Sequence, residues 1–276
     1  MTMITLEKLA ATVGAEVVGV DAAMLLADET LAPWTLDALD EHGVLVFRGL
    51  ELDDAAQVAF SRQLGRVVVL GSGAHPEIFR VTLDPAKNPA ASYLRGTFDW
   101  HIDGLTEDVP IMATLLGAHG VATTGGETEF ASTYAAYDHL SDAEKERVAT
   151  IRVVHSLEAT QRLVNPNPTE EEVAMWRQRP PKEHPLVWTH GSGRRSLVLG
   201  ATTEAVVGMD GPAGRDLLDD LLARATAPDR VYRHDWAVGD LVIWDNTGVL
   251  HRALPYDATS PRDMHRTTLY GQEAVR

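Results

Sequence analysis

The chain has 276 residues, of which 45% are hydrophobic, enough for one well-buried core or one large all-β domain with helical insertions. Its formal charge of −16, from 24 lysines and arginines against 40 aspartates and glutamates, argues against nucleic acid or an anionic membrane surface as a partner, because both are bound mainly through clustered basic side chains. Cysteine is absent, so disulfides and thiolate metal sites are excluded, and histidine and carboxylate groups are the ligands left for a metal.

The organisation of the chain predicts one unit. Residues 1–14 lack a basic region followed by an apolar run, and no uncharged apolar stretch reaches the ~20 residues of a membrane span. Proline and glycine are spread along the chain instead of being gathered in a linker. We therefore expect a single cytoplasmic domain over residues 1–276 without membrane association, and a homo-oligomer is one open alternative for its assembly.

The first part of the chain predicts alternating helices and strands. A short helix over residues 35–42 ends at Gly43, and the apolar run at 44–47 is suited to a buried strand. A second helix, capped by Asp53 or Asp54, continues to Leu64 and Gly65, and a strand is predicted at 67–70.

Short strand-like runs broken by turns dominate from residue 78 onward. They are predicted at 78–82, 98–103, 111–116, 128–130, 231–233, 241–244, 249–253 and 264–269. Two helices interrupt them, one opened by the capping box at 141–144 and one over 214–225. Many strands without a strict β-helix-β alternation predict a mainly β fold with helical insertions, an antiparallel double sheet closed as a jelly roll.

A histidine followed two residues later by a carboxylate occurs at His101 and Asp103 and again at His75 and Glu77. Side chains at i and i+2 of a strand share a face, so His101 and Asp103 are expected to approach one metal ion. The second pair is a poor ligand set because the intervening Pro76 cannot donate to a strand ladder. Such a short motif also recurs by chance, and a core histidine with a surface aspartate is the alternative.

A third ligand is predicted at His251. In a strand over residues 249–253 it shares a face with Val249 and Ala253, whose small side chains leave room for a metal. Turn residues at 245–248 suggest a hairpin between the strands at 241–244 and 249–253, which would fix the direction of His251. Two histidines and one carboxylate on one side of a metal are typical of non-heme Fe(II) oxygenases.

Two arginines follow close behind, Arg262 and Arg266, and in an extended strand they share a face. Inward-facing arginines require anions, because an unpaired buried charge strongly destabilises a fold. The alternative is a surface position in which Asp257, Asp263 or Glu273 pairs with them.

Beyond these residues, the chain carries Gly-Val-Leu-Val-Phe-Arg-Gly at 43–49, Gly-Gly-Glu-Thr-Glu-Phe at 125–130 and Gly-Asp-Leu-Val-Ile-Trp-Asp-Asn at 239–246. With these motifs, the segment from about Val17 to Gly271 resembles the family of taurine dioxygenase and dichlorophenoxyacetate dioxygenase. The resemblance implies a double-stranded β-helix (jelly-roll, cupin-like) core and an enzyme that uses Fe(II), 2-oxoglutarate and O2.

The resemblance also implies roles for individual residues. The iron ligands correspond to His101, Asp103 and His251. Thr128 and Arg262 correspond to the residues that hold the distal carboxylate of 2-oxoglutarate, and Arg266 to the arginine that holds the anionic group of the primary substrate. A guanidinium suits these roles because its planar fork matches a carboxylate.

Several assignments around this set stay open. His75 is a candidate for the further substrate histidine of taurine-like members, and Tyr93, Phe98 and Trp100 fit either the core or a pocket wall. Asp103 argues against the halogenase variants, in which a small residue takes that place. The loops at 83–97 and 162–183 are the predicted lid and substrate-selecting segments.

The expected reaction is hydroxylation, with or without subsequent cleavage, of a small or medium organic anion such as a carboxylate or sulfonate, with succinate and CO2 as coproducts. Two alternatives remain: a non-catalytic module that binds a small acid, and a metal-assisted hydrolase. A closed structural zinc site needs a fourth protein ligand, for which His234 and Asp235 are the candidates.

Overall fold

The computed structural model of the protein describes residues 3–276. Within this range the helices are Ala22–Ala27 (α1), Leu31–His42 (α2), Asp54–Leu64 (α3), Thr133–Asp138 (α4), Asp142–Val148 (α5), Leu157–Val164 (α6), Glu170–Trp176 (α7) and Gly211–Ala225 (α8). Short 3₁₀ helices cover Tyr93–Phe98 and Pro228–Arg230. None of the helices in the described range combines the length and the apolar character that a membrane crossing requires.

Strands make up most of the remaining regular structure. They are Thr5–Lys8 (β1), Ala15–Val18 (β2), Val44–Phe47 (β3), Phe79–Val81 (β4), Ala113–Gly120 (β5), Thr128–Ser132 (β6), Arg152–His155 (β7), Lys182–Pro185 (β8), Val187–Thr189 (β9), Arg195–Leu197 (β10), Thr203–Val206 (β11), Val231–His234 (β12), Leu241–Asp245 (β13), Val249–Ala253 (β14) and Asp263–Leu269 (β15).

Two sheets form the centre of the molecule. A seven-stranded sheet has the order β1-β2-β3-β13-β5-β15-β4, and a three-stranded sheet has the order β12-β6-β14. All their pairings are antiparallel except that of β2 with β3. One apolar cluster draws on both sheets, including Val242 and Met264 from the larger and Phe130 and Val249 from the smaller. The two sheets therefore share one core.

The larger sheet is covered on both faces. In β3, Val44 and Val46 belong to the cluster shared with the smaller sheet, whereas Leu45 and Phe47 pack in a second cluster with Phe60 of α3. Alternate side chains of a strand point to opposite faces. Burial of both faces explains why β3 is a continuous apolar run instead of an alternating one.

Several predicted elements are confirmed. The strand at 44–47 and the strand at 249–253 have the predicted bounds. Asp53 caps α3 by accepting a hydrogen bond from the Ala56 amide at 2.8 Å. Ser141 and Glu144 form the predicted capping box at the start of α5. Strands β1 and β2, helices α6 and α7 and the strands from β7 to β11 were missing from the prediction.

The predicted strands at 67–70 and 98–103 are wrong. Val67 makes one isolated bridge to Leu269, and β4 pairs with the other end of the same edge of β15, at residues 264–266. The 3₁₀ helix runs to Phe98, and the only β-bridge in the segment that follows it is the isolated one of His101 to His251. The chain turns directly afterwards at Gly104, whose φ is +88° and whose added Cβ would lie 2.7 Å from the Ile111 nitrogen.

The predicted hairpin between β13 and β14 is also wrong. Strand β13 lies between β3 and β5 in the larger sheet, so both of its edges are already paired. Strand β14 pairs instead with β6 in the smaller sheet. The turn at 246–248 therefore carries the chain from one sheet to the other, and Asn246 fixes it by donating to the Thr114 hydroxyl at 2.9 Å.

Candidate active site

Three side chains meet beside β14. The nitrogen Nε2 of His101 lies 3.7 Å from Oδ1 of Asp103, and Nε2 of His251 lies 3.8 Å from Oδ2 of the same carboxylate. One potential ligand atom from each residue lies within 4.8 Å of the others. The structure thus brings together the two histidines and the carboxylate that were predicted from the sequence, on one side of a shared point.

The position of His101 is set by backbone pairing with His251, and not by a strand that it shares with Asp103. His101 and His251 exchange both backbone hydrogen bonds, at 2.9 and 3.0 Å, and this isolated bridge adds the loop to the edge of β14. Gly200 packs closely behind, since an added Cβ would lie 2.9 Å from the His101 Cα atom. The Asp99 carbonyl lies 2.8 Å from Nδ1 of His101, which leaves Nε2 to face Asp103. A hydrogen bond at one ring nitrogen orients the other toward a metal.

The protonation states of the cluster suit a divalent cation. Burial, and then the neighbouring His101, lowers the pKa of His251 to about 3, so that its imidazole is neutral at physiological pH. Burial would raise the pKa of Asp103, but His251, Arg266 and His101 together hold it below its ordinary value. Oδ2 of Asp103 is buried without a hydrogen-bond partner in the described chain. A neutral imidazole and an ionised, unsatisfied carboxylate are the forms that bind metal.

A cavity of about 50 Å³ opens beside this cluster. Its lining residues are Val81, Leu94, Thr97, His101, Leu116, Thr128, Trp244, His251, Ala253, Arg262 and Arg266. Both arginines and Thr128 therefore face the same small space as the two histidines. Strand β15 begins one residue after Arg262 and has a register irregularity between Asp263 and Met264, so the two arginines do not share a regular strand as predicted.

Arg262 is the charged side chain that most requires explanation. It is 2% exposed and forms no ion pair within residues 3–276. Its Nε donates to the Gly126 carbonyl at 3.2 Å, its guanidinium carbon lies 4.7 Å from the centre of the Tyr256 ring, and Nη1 has no partner. Burial lowers its pKa. A buried guanidinium with an unused N–H group fits an organic carboxylate that the protein itself does not provide.

The predicted alternative of surface pairing for these arginines is wrong. Asp263 pairs with Arg80 and Lys87. Asp257 accepts hydrogen bonds from Thr259, and Glu273 accepts one from the Gly191 amide. The nearby carboxylates are therefore engaged elsewhere.

Arg266 lies between the cluster of His101, Asp103 and His251 and the cavity. Its Nη1 is 3.5 Å from Oδ2 of Asp103, and its guanidinium carbon is 4.9 Å from the centre of the Phe79 ring. Nε of Arg266 has no hydrogen-bond partner in the described residues. This arginine can therefore bind a further anion next to the Asp103 carboxylate.

The hydroxyl of Thr128 is oriented by a residue that sequence reasoning missed. Nε1 of Trp236 donates to Oγ1 of Thr128 at 3.0 Å. Since an indole N–H only donates, the threonine oxygen is the acceptor and its own hydrogen remains available for a ligand. Trp236 follows β12 in sequence and carries no motif that would have connected it with the site.

The structure places three of the open candidates, Trp100, His75 and His234. Trp100 packs in the core with Ile102 and beneath the Arg252 guanidinium, at 4.7 Å, so it is a core residue. His75 is not among the residues that line the cavity. His234 is buried 3.2 Å from Oδ2 of Asp240 and lies outside the ligand cluster, so its nomination as a fourth metal ligand is wrong.

Comparisons with known proteins agree on one family. A model described as the taurine catabolism dioxygenase TauD, TfdA family matches residues 5–268. The alpha-ketoglutarate-dependent 2,4-dichlorophenoxyacetate dioxygenase of Burkholderia sp. (strain RASC) is 36% identical over 250 residues, which cover 85% of this chain and 84% of that protein. The (S)-phenoxypropionate/alpha-ketoglutarate-dioxygenase of Sphingobium herbicidovorans is 35% identical over 276 residues, which cover 96% of this chain and 94% of that protein.

This chain belongs to the taurine catabolism dioxygenase TauD, TfdA family. A solved structure described as AAD-2 in complex with Mn(II) and N-oxalylglycine is similar with a TM-score of 0.84 and 33% identity, over 99% of this chain and 100% of that one. The expectations of a mostly β protein with helices and of an Fe(II)- and 2-oxoglutarate-dependent dioxygenase are thereby confirmed.

Proposed function

We propose that residues 1–276 form one catalytic domain on a double-stranded β-helix core, and that it oxidises a small or medium organic carboxylate with an apolar body. The shared core of the two sheets supports this architecture, because an antiparallel double sheet closes around the cavity between its layers. The observation that carries the function is the buried Arg262, which has no anionic partner and lines the same cavity as the two histidines.

In this proposal His101, Asp103 and His251 would hold Fe(II). Bound Fe(II) and 2-oxoglutarate supply the chemistry, in which O2 oxidises a C–H bond of the substrate and 2-oxoglutarate yields succinate and CO2. The protein supplies position: Arg262 binds the distal carboxylate of 2-oxoglutarate through its unused N–H group, and the Thr128 hydroxyl donates a further hydrogen bond. Burial strengthens both contacts because water does not compete for them.

The substrate is assigned to Arg266. Its free Nε and its position beside Asp103 allow it to hold a carboxylate close to the metal, so that the carbon next to that carboxylate is the one oxidised. Val81, Leu94 and Leu116 give the cavity apolar walls for the rest of the substrate. The two relatives named for phenoxyacetate and phenoxypropionate fit such a substrate class. When the oxidised carbon carries an ether oxygen, the hydroxylated product is a hemiacetal and cleaves.

The small size of the cavity supports a mobile cover. About 50 Å³ is far below the ~300 Å³ at which ligand pockets begin, so both cosubstrate and substrate require displacement of the walls. Leu94 and Thr97 line the cavity from the 3₁₀ helix, which packs against α6. We therefore retain the segments at 83–97 and 162–183 as the parts that move when ligands enter.

The two alternatives, a binding module with a structural metal and a metal-assisted hydrolase, explain less of the site. A closed structural metal site needs a fourth protein ligand, and the cluster within residues 3–276 contains three. A metal-assisted hydrolase uses the open side of the metal but gives no role to the unpaired Arg262.

The proposed function is tested by measuring turnover of candidate substrates. Purified protein with Fe(II), ascorbate, 2-oxoglutarate and air is supplied with aryloxyacetates, aryloxypropionates, alkyl sulfates and taurine in parallel, and succinate is measured. We expect succinate formation that depends on O2 and is stimulated most by aryloxy carboxylates. Stimulation by sulfates or taurine alone would overturn the substrate class, and no O2-dependent succinate with any of them would overturn the function.

A further inference from the structure

A second cluster with two histidines and one carboxylate lies on the opposite side of β15 from the cavity. Adjacent residues of a strand point to opposite faces, so Arg266 faces the cavity while His265 faces α3. His265 meets His119 of β5 and Asp54 in the first turn of α3, and one potential ligand atom from each lies within 4.8 Å of the others.

A strand irregularity positions His119. Asp263 pairs with Gly120 and Met264 with Ala118, so His119 is the extra residue of a bulge in β5. Its ring lies 3.8 Å from that of His265, measured between centroids. Bulges redirect single side chains and are frequent at functional sites. Because His119 is exposed, its ring is able to turn toward an ion.

Of the two ring nitrogens of His265, one remains available to a metal and the other is hydrogen-bonded to Asp54. Asp263 lies 3.7 Å from Nε2 of His265 and is itself held by Arg80 and Lys87. Nε2 of His265 has no hydrogen-bond partner among the described residues, while Nδ1 contacts Asp54. Asp53, not Asp54, provides the side-chain cap of α3, so capping does not explain the position of Asp54.

We propose that Asp54, His119 and His265 form a second metal site, which binds a divalent transition ion of the zinc, nickel or copper class. Imidazole nitrogens favour these ions, whereas calcium and magnesium require mostly oxygen ligands. His119, the exposed member of the cluster, also lines a cavity of about 330 Å³. The bound ion ties the start of α3 to β5 and β15, directly behind the arginine assigned to the substrate.

Metal stoichiometry tests this inference. Metal-free protein is titrated with Zn²⁺ against a chromophoric chelator. We expect two equivalents for wild type and one for His119→Ala, which changes an exposed side chain and so preserves the fold. Asp54→Asn, which keeps the shape of the side chain, should weaken the second equivalent by at least ~10-fold. His139→Ala removes an exposed histidine outside both clusters and should retain two equivalents.

This experiment distinguishes a failure of the second metal site from a failure of the proposed active site. His101→Ala should lose the equivalent that belongs to the proposed active site while His119→Ala loses the other. If wild type binds one equivalent, or if His119→Ala still binds two, the second site is overturned whatever His101→Ala does. If His101→Ala retains two equivalents while His119→Ala retains one, the second site stands and the active-site ligand set is wrong.

Discussion

The two clusters offer a metal the same donor set, two imidazoles and one carboxylate, and differ in the cations that surround them. Beside His101, Asp103 and His251, both Arg262 and Arg266 retain N–H groups without partners. Beside Asp54, His119 and His265, the neighbouring Arg80 and Lys87 are both engaged by Asp263. We therefore expect the donor set to decide whether a metal binds, and the two arginines with free N–H groups to decide whether an organic anion joins it. We assign oxygenase chemistry to the first cluster alone.

The strongest way to break this comparison is to remove Arg262. In Arg262→Ala the distal carboxylate of 2-oxoglutarate loses its buried partner, an interaction worth about 3–5 kcal/mol, so the KM for 2-oxoglutarate should rise at least ~100-fold. Initial rates of succinate formation across 2-oxoglutarate concentrations measure it. Arg152→Ala, which breaks an exposed pair with Glu183, serves as the control and should leave this KM unchanged. An unchanged KM in Arg262→Ala would separate Arg262 from the cosubstrate.

Removal of Arg266 should affect the other anion. A hydrogen bond to a charged group is worth about 1.5–3 kcal/mol, so Arg266→Ala should raise the KM for the primary substrate roughly 10- to 100-fold while the KM for 2-oxoglutarate changes little. Arg266→Lys keeps the charge without the planar fork and should fall between wild type and alanine. Arg266 would have the wrong role if the 2-oxoglutarate KM rose and the substrate KM did not.

A buried histidine outside both clusters can show whether burial is enough to keep an imidazole neutral. Burial, then His184, lowers the pKa of His155 to about 3, as burial does for His251. A depressed folded-state pKa means that the unfolded chain binds the proton first, so stability falls as pH drops from about 6.5 toward 3, by up to ~1.4 kcal/mol per pH unit. His155→Asn should reduce this slope in denaturant titrations.

The matched variant for that measurement is His139→Asn. His139 is exposed, and its replacement should leave the slope between pH 6.5 and pH 3 as it is in wild type. Equal slopes in wild type and His155→Asn would show that His155 is protonated in the folded protein.

The smallest predicted effect concerns Trp236. Trp236→Phe keeps an aromatic ring and removes the N–H that orients the Thr128 hydroxyl, a hydrogen bond worth about 0.5–1.5 kcal/mol, so the KM for 2-oxoglutarate should rise ~2- to 10-fold. If the effect acts through Thr128, it should disappear in a Thr128→Val background. A loss of the same size in that background would assign Trp236 a general packing role.

Much of the fold and of the site could be predicted from the sequence, for identifiable reasons. Strand β3 is buried on both faces and reads as one apolar run, and α3 carries its cap at Asp53. His101 and Asp103 could be proposed as ligands from the sequence because a histidine and a carboxylate two residues apart form a local pattern. The backbone around His101 could not be predicted in this way, since His101 pairs with a segment 150 residues later and Gly104 turns the chain away.

The remaining misses depend on contacts between distant residues. From its local sequence, the turn after β13 resembles a hairpin turn. It connects two sheets instead, because β3 and β5 already occupy both edges of β13. Trp236 reaches Thr128 across 108 residues of sequence. His119 and His265 carry no motif, and a bulge that only the paired strands reveal brings them together. Tertiary pairing, not local propensity, decides each of these cases.

The most direct test of the central claim is an anaerobic titration of metal-free protein with Fe(II) and then 2-oxoglutarate, monitored by the visible charge-transfer absorption of the chelate. We predict a band that saturates near one equivalent in wild type and in Asp54→Asn, and that is strongly weakened in Asp103→Ala. A band that survives in Asp103→Ala, or that is lost in Asp54→Asn, would contradict the assignment of oxygenase chemistry to the cluster beside Arg262 and Arg266.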